Sequence, residues 1–427
     1  MKPFQRMLAV GGGAFSMMCA FLTTACATGG DSGKLVVWTF SDDTEAMVEM
    51  YEQAIGEDVI DVHTYPQDVF QTRLDGVLRT GTNAPDVVAL EISFVKKYVE
   101  GGKLMSLDEL GISERAKQEL YGYTNDVGTA SDGTMYAVSN QAAPGGFFYR
   151  RSMAEELWGD SSPEFVQQKL SSWDNFLAVA AELKEHGKKI VSNLNASEKV
   201  FLCERENGWV VDNTLQVDSC WDTYLNQIRT IQENGYCNET VEYGAGGGWY
   251  TDISGNEVFG YFLGAWGLNY HLKANAKGEN GDSTNDWGVV QGPSPYYSGG
   301  TWFAGIGSSS KKDQIKSLLE YWMFDQDFLK AWAERTQDFV GNKITVEAIK
   351  GSFADPFLQG QNHYALFAEI AESITAKNVT LYDAAIGSLF SAAAVDYAMG
   401  KTGTIADAYN QFRTNVSYAY SNIDVGL

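Results

Sequence analysis

The chain has 427 residues, 13% of them aromatic, with 55 acidic against 31 basic side chains and a formal net charge of −24. That acidity is spread along the sequence, so nucleic acid and anionic membrane surfaces are poor partners. The length is enough for two or three domains with sizeable cores.

Lys2 and Arg6 precede an apolar stretch, Met7 to Leu22, and Thr24-Ala25 then lead into Cys26. The pattern resembles a bacterial lipoprotein signal: residues 1–25 removed, Cys26 acylated, and 26–33 left as a small polar tether. Thr23 stands three places before the cysteine, where such signals usually carry Leu, and an ordinary signal peptide is the alternative. A membrane anchor fits poorly, because a spanning helix needs ~20 apolar residues and this run is shorter and broken by glycines. Cys203, Cys220 and Cys237 remain, and either one disulfide plus a free thiol or three reduced thiols fits an odd number. The four histidines are scattered and no CxxC occurs, so no metal site is expected.

Lys34 to Phe40 reads as a buried strand, and Ser41-Asp42-Asp43 starts a helix with Met47, Met50, Tyr51, Ala54 and Ile55 on one face. Asp42 with Glu45 fits an N-terminal cap. Phe40, Asp42 and Asp43 also stand at the carboxyl end of a strand, where open α/β sheets bind ligands. A second strand covers Asp58 to Thr64, a helix Asp68 to Arg79, and a third strand Ala84 to Leu90, which delivers Glu91 at its end. This alternation predicts a parallel sheet with helices on its faces. Thr134–Ser139 and Gly146–Arg150 read as strands joined by a stretch containing Gln141, a joint able to pass between two lobes.

Helices follow at Ser172–Glu185 and Trp221–Glu233, with a strand-like Lys188–Ser192 between them. A glycine-rich stretch, Glu242 to Asp252, carries Trp249 and Tyr250, and a strand from Val258 ends in Gly264-Ala265-Trp266-Gly267. The segment from Asp286 to Lys311 has two strand-like runs, Trp287–Val290 and Trp302–Ile306. Between them lie two prolines, Tyr296, Tyr297, Gly299 and Gly300. Its serine cluster could cap the next helix. Gly299 and Gly300 allow close backbone approach or positive φ beside Trp302. Aromatic plates beside bare backbone suit a flat polar ligand; a hairpin whose aromatics complete a core is the alternative. Helical patterns fill most of the remainder.

No GxSxG elbow, P-loop or HExxH occurs, and Ser308–Lys311 matches SxxK only as four-residue matches do by chance. Two of Asp42, Asp43 and Glu91 could form a glycosidase carboxylate pair, but the sequence does not set their separation. No catalytic residue and no cofactor are expected.

The order of KLVVW, APDVVAL, DGTMYAVSN with GGFFYRRSMAEEL, SWDNFLAVAAEL and NEVFGYFLGAW resembles the extracellular solute-binding proteins of ABC importers, in the carbohydrate group that includes maltose-binding protein. Ser139, Arg150-Arg151 and Phe259-Gly260-Tyr261 depart from the family pattern. The resemblance implies an α/β fold of two lobes joined by crossovers and closing on ligand like a hinge. Lobe 1 would hold 34–139 and 308–350, and lobe 2 would hold 140–307 and 351–427, with crossings near Ser139-Asn140, Gly305–Gly307 and residue 350. It further implies a monomeric lipoprotein on the outer face of the cell membrane that binds an oligosaccharide and delivers it to a membrane permease. Trp266 is the first expected sugar plate, then Trp302, Phe40, Tyr250, Trp249 and Tyr296. Asp42, Asp43, Glu91 and Gln141 would take hydroxyls, with Gly299 and Gly300 close to the ligand. A glycoside hydrolase, or a binding protein for a peptide, polyamine or metal, is the alternative.

Overall fold

The computed structural model describes residues 33–244 and 246–426. The expected signal, Cys26 and all of the tether except Gly33 lie outside the described residues. Everything below concerns the unit Leu35–Leu427.

The strands, in chain order, are β1 Leu35–Thr39, β2 Ile60–Thr64, β3 Val87–Glu91, β4 Val138–Ser139, β5 Gly145–Arg150, β6 Val210–Val211, β7 Thr214–Leu215, β8 Gly260–Gly264, β9 Lys277–Gly278, β10 Gly281–Asp282, β11 Trp287–Val290 and β12 Thr301–Gly305. Two sheets position the site: a five-stranded sheet ordered β2-β1-β3-β12-β4 and a three-stranded sheet ordered β11-β5-β8. β1 runs parallel to β2 and β3. The helices Asp42–Ile55 and Gln67–Thr80 supply the crossovers that parallel neighbours require. β12 is antiparallel to both β3 and β4, and the second sheet is antiparallel throughout. The expected parallel sheet is therefore confined to β2-β1-β3, because β12 enters from the other sheet without a helical crossover.

The helix faces follow the apolar spacing. Met47, Val48 and Tyr51 are buried on Asp42–Ile55, and Phe70 and Leu74 on Gln67–Thr80. Ile315, Leu318, Leu319, Trp322 and Met323 are all buried on Lys312–Phe324. Each such side chain contributes roughly 1.5–3 kcal/mol. Gly56 and Gly81 end the first two helices in the left-handed conformation.

Several local expectations change. Ser41, not Asp42, caps the first helix, its side chain accepting from Asp43 N, and Asp42 is exposed in the first turn. The serine cluster does not cap Lys312–Phe324; Ser309 Oγ instead donates to Asp86 Oδ1 at 2.6 Å. Lys188–Ser192 makes only isolated bridges, Lys189 to Val258 and Val191 to Cys237. β11 and β12 form no hairpin, because they belong to different sheets. The chain thus crosses between sheets before Thr301, not near Gly305–Gly307, and Thr301–Gly305 sits with the strands assigned to lobe 1. Cys203, Cys220 and Cys237 are free thiols.

One apolar core runs from the first sheet into the second. Its seam is aromatic: Tyr123 to Tyr297 at 5.3 Å between ring centroids, Tyr121 to Phe339 at 5.7 Å, and Phe339 to Tyr364 at 4.9 Å. Beside it lies the crossing from β4 to β5. Residues Asp338–Gly341 brace that crossing, with Ala142 N donating to Phe339 O at 3.0 Å and Gly341 N to Asn140 O at 2.7 Å. A separate core packs Phe147, Phe176, Phe262 and Tyr296 on the second sheet, and a third joins Trp209, Trp221, Phe390 and Phe412.

Candidate ligand-binding site

A cavity of about 570 Å³ opens where the carboxyl ends of β1 and β3 face the segment after β8. β1 ends at Thr39, so Phe40, Ser41 and Asp43 follow at the rim, and Glu91 and Ile92 come from the end of β3. The opposite wall holds Trp266, Tyr270 and His271, with Tyr243 and Lys199 beside them. Ser298, Gly299, Gly300 and Thr301 form the crossing that leads into β12.

Trp266 is half-buried, and its indole N–H donates to Ser298 O at 2.7 Å. Gly299 has φ +80°, and a Cβ there would lie 2.7 Å from Trp266 Nε1. Glycine is thus required both for the left-handed backbone and for the approach of the indole. His271 packs edge-on to Trp266 at 5.0 Å and face to face with Tyr243 at 4.8 Å. Burial, together with the nearby Lys199, lowers the His271 pKa to about 4, so its ring is neutral at pH 7. Tyr243 has φ +57°, an uncommon conformation for an aromatic residue and one that concentrates at ligand sites.

Tyr270 Oη lies 2.7 Å from both carboxylate oxygens of Asp43 and donates to them. Burial raises the Asp43 pKa against that bond. Glu91 Oε2 accepts from Ser93 N at 2.8 Å, and burial raises its pKa too. Lys199 Nζ is matched by Glu242 Oε1 at 2.5 Å. Gln141 Nε2 donates to Asp338 Oδ2. The wall therefore combines aromatic faces with carboxylate and amide acceptors, and its one lysine is already paired.

Phe40, Asp43, Glu91, Gln141, Trp266, Gly299 and Gly300 thus share one cavity. Four expected aromatics do not line it. Trp302 is 1% exposed, and its N–H donates to Thr124 O at 2.9 Å inside the first core. Tyr296 is buried with its hydroxyl on Gly146 O at 2.9 Å, because it fills space over Gly145. Trp249 is buried behind the wall, donating to Asn193 Oδ1 at 3.2 Å and meeting His271 edge-on at 5.5 Å. Tyr250 packs on Trp249 at 5.1 Å. Asp42 points away on the exposed turn. Unexpected wall residues are Tyr243, Tyr270, His271 and Lys199. Tyr270 stands four residues after Trp266, within the π-helical turn Leu268–Lys273, so helical spacing from the tryptophan was a usable signal. Tyr243 carried none beyond its neighbouring glycines.

Residues 46–346 match the model of the bacterial extracellular solute-binding proteins. The chain belongs to that family. Its members are binding proteins that work outside the cytoplasm, and among the described residues of this one no helix is long and apolar enough to cross a membrane. The arabinooligosaccharide-binding protein of Halalkalibacterium halodurans is 21% identical over 176 residues, 38% of this chain and 36% of that relative, so the match spans just over a third of the relative's length. A crystal structure of an extracellular solute-binding protein of family 1 superposes with a TM-score of 0.77 at 17% identity, covering 90% of this chain and 99% of that one. The galacto-N-biose-/lacto-N-biose I-binding protein of an ABC transporter from Bifidobacterium longum, in complex with lacto-N-biose, gives 0.72 at 14% identity over 93% and 100%. Likeness at these identities is one of fold, and the solute-binding protein described here shares the two-lobed α/β architecture.

Proposed function

We propose that this solute-binding protein captures a neutral oligosaccharide in the cavity and delivers it to the membrane permease of an ABC importer. The observation that carries the reading is the composition of the wall: Trp266 and Tyr243 offer aromatic faces opposite Asp43, Glu91 and Gln141. A pyranose presents an apolar C–H face and a rim of hydroxyl donors, which stack and bond to those two kinds of group. The volume falls in the roughly 300–1,000 Å³ range of small-molecule sites. Among the described residues that line the cavity, Lys199 is the one Lys or Arg, and it is paired with Glu242, which disfavours an acidic ligand.

In this reading lobe 1 comprises 34–139 and 301–350, which includes the returning strand, and lobe 2 comprises 140–300 and 351–427. The protein acts as a monomer tethered through Cys26, and it breaks no bond in its ligand. Of the acids considered for a glycosidase pair, Asp43 and Glu91 both reach the cavity, but Asp43 is already held by Tyr270 and Glu91 by Ser93, which supports a binding role for both.

A thermal-shift panel of arabinotriose, lacto-N-biose, maltotriose, spermidine and a tripeptide tests the proposal. A ligand at a hundred times its Kd stabilises by about 2.7 kcal/mol. At least one sugar raises the midpoint by several degrees, spermidine and the tripeptide do not, and chromatography recovers the sugar intact. A shift with spermidine alone, or sugar fragments in the eluate, overturns it.

A further inference from the structure

Next to the cavity lies a second, smaller hollow of about 30 Å³, bounded by Ser41, Asp43, Gln141 and Thr301 in common with the cavity, and lined further by Asn140 and Asp338. It is wide enough for water. Asp338 is 6% exposed and stands on the segment that braces the crossing between the sheets. Its Oδ1 accepts from Phe339 N at 2.8 Å, and its Oδ2 from Gln141 Nε2. Among the described residues, nothing bonds to the carbonyl oxygen of the Gln141 side chain. With the amide nitrogen held by a carboxyl that borders only the smaller hollow, that oxygen is left for the cavity.

We propose that Asp338 is a positioning residue for the ligand: it fixes Gln141 with its carbonyl oxygen toward the cavity, and ligand capture is coupled to proton uptake at the Asp338 carboxyl. The proposal rests on the reading of the cavity as the ligand site. The ionisable surroundings of Asp338 support the coupling. Among the described residues no cation is paired with it. Asp43, across the hollow, repels its charge. Tyr364 donates to its backbone carbonyl at 2.6 Å, and Tyr123 and Tyr270 are close enough to feel it. Arg335 acts on Asp43 and Tyr270 rather than on Asp338. Burial is the main cause pushing the Asp338 pKa up to about 7, with the Asp43 charge adding to it.

The sign follows from linkage. Burial already raises the carboxyl to about 7 without ligand, and a ligand over the hollow shuts out the remaining water and raises it further. Binding then takes up a proton between about 7 and the higher ligand-bound value, and affinity rises as pH falls from 8 toward 7 and levels off below it, by at most tenfold per pH unit. Above the ligand-bound value the full cost of the buried charge opposes binding.

The test is calorimetric titration, from pH 8 to pH 5.5, of whichever panel sugar binds. Wild type gains roughly five- to tenfold in affinity on acidification, most of it above pH 7. Asp338→Asn cannot ionise and keeps one acceptor oxygen, for either Phe339 N or Gln141 Nε2; whatever its affinity, that affinity changes less than threefold across the range. Asp338→Ala releases Gln141 and binds more weakly at every pH. A wild-type slope that survives in Asp338→Asn, or a flat wild-type profile, overturns the coupling. If no panel sugar binds wild type at any pH, the sugar reading fails instead. The carboxyl is then tested without ligand, by thermal unfolding from pH 4.5 to 8. The gap between Asp338→Asn and wild type widens as pH rises, and parallel curves overturn the proposal.

Discussion

Replacing Trp266 by alanine isolates the aromatic wall from the polar one. The indole is half-buried, with one edge fixed by its bond to Ser298 O and by the contact over Gly299. A sugar ring laid on its free face removes roughly 60–100 Å² of apolar surface from water, worth about 1.5–2.5 kcal/mol at about 25 cal/mol per Å². The expected loss is therefore roughly ten- to seventyfold in Kd. Stability falls less, by about 1 kcal/mol for the lost hydrogen bond plus part of the packing against His271. Isothermal calorimetry with the best panel sugar gives the affinity, and circular dichroism with thermal unfolding reports whether the variant remains folded. Trp266→Phe separates the two contributions, since it keeps an aromatic face but loses the N–H that orients it; it falls between wild type and alanine. Unchanged affinity in a folded Trp266→Ala protein would remove the indole from the site and with it the stacking argument.

Trp302→Ala gives the opposite pattern: a loss of about 3–5 kcal/mol in stability, as for other buried tryptophans, with sugar affinity per folded molecule nearly unchanged; chemical denaturation and calorimetry together separate it from Trp266. Tyr270→Phe removes the hydrogen bond that joins the segment after β8 to Asp43 at the cavity rim. The ligand-free protein then shows a larger radius of gyration by small-angle scattering and weaker binding by about 1 kcal/mol; an unchanged radius means the bond does not hold the rim together. His363 is 1% exposed, and burial lowers its pKa to about 4 from an ordinary 6.5. The unfolded chain therefore binds its proton more tightly, and this residue's share of stability is lost as pH falls from 6.5 to 4, by about 3 kcal/mol at the lower end. Thermal unfolding across that range falls less steeply in His363→Phe, and superimposable profiles exclude the effect.

The framework was legible because its strands and helices are defined by burial, and burial leaves a period in the sequence. KLVVW has to be a covered strand, and the helix faces around Met47, Leu74 and Leu318 can only turn inward. Acids at strand ends were legible for the same reason: once β1 and β3 are placed, Asp43 and Glu91 must emerge at one edge. Aromatics resist this logic. Trp302 and Phe303 point to opposite faces of β12, yet both are buried, since the sheet is covered on each side; no alternation marks which face meets ligand. Residue type is equally uninformative, because Trp266 and Trp302 both stand near glycines. What separates them is which indole Gly299 leaves room for, and that depends on where a crossing between two sheets comes to rest. Tyr243 reaches the wall from a glycine-rich segment with no period, Lys199 from the short helix Glu198–Glu204, and Asp338 is a lone acid in irregular backbone after Gln326–Thr336. The selective part of such a site therefore belongs to the junction between lobes, where neighbours are set by tertiary placement and not by local pattern. The same junction is where a change in protonation or in one hydrogen bond can alter how the cavity closes.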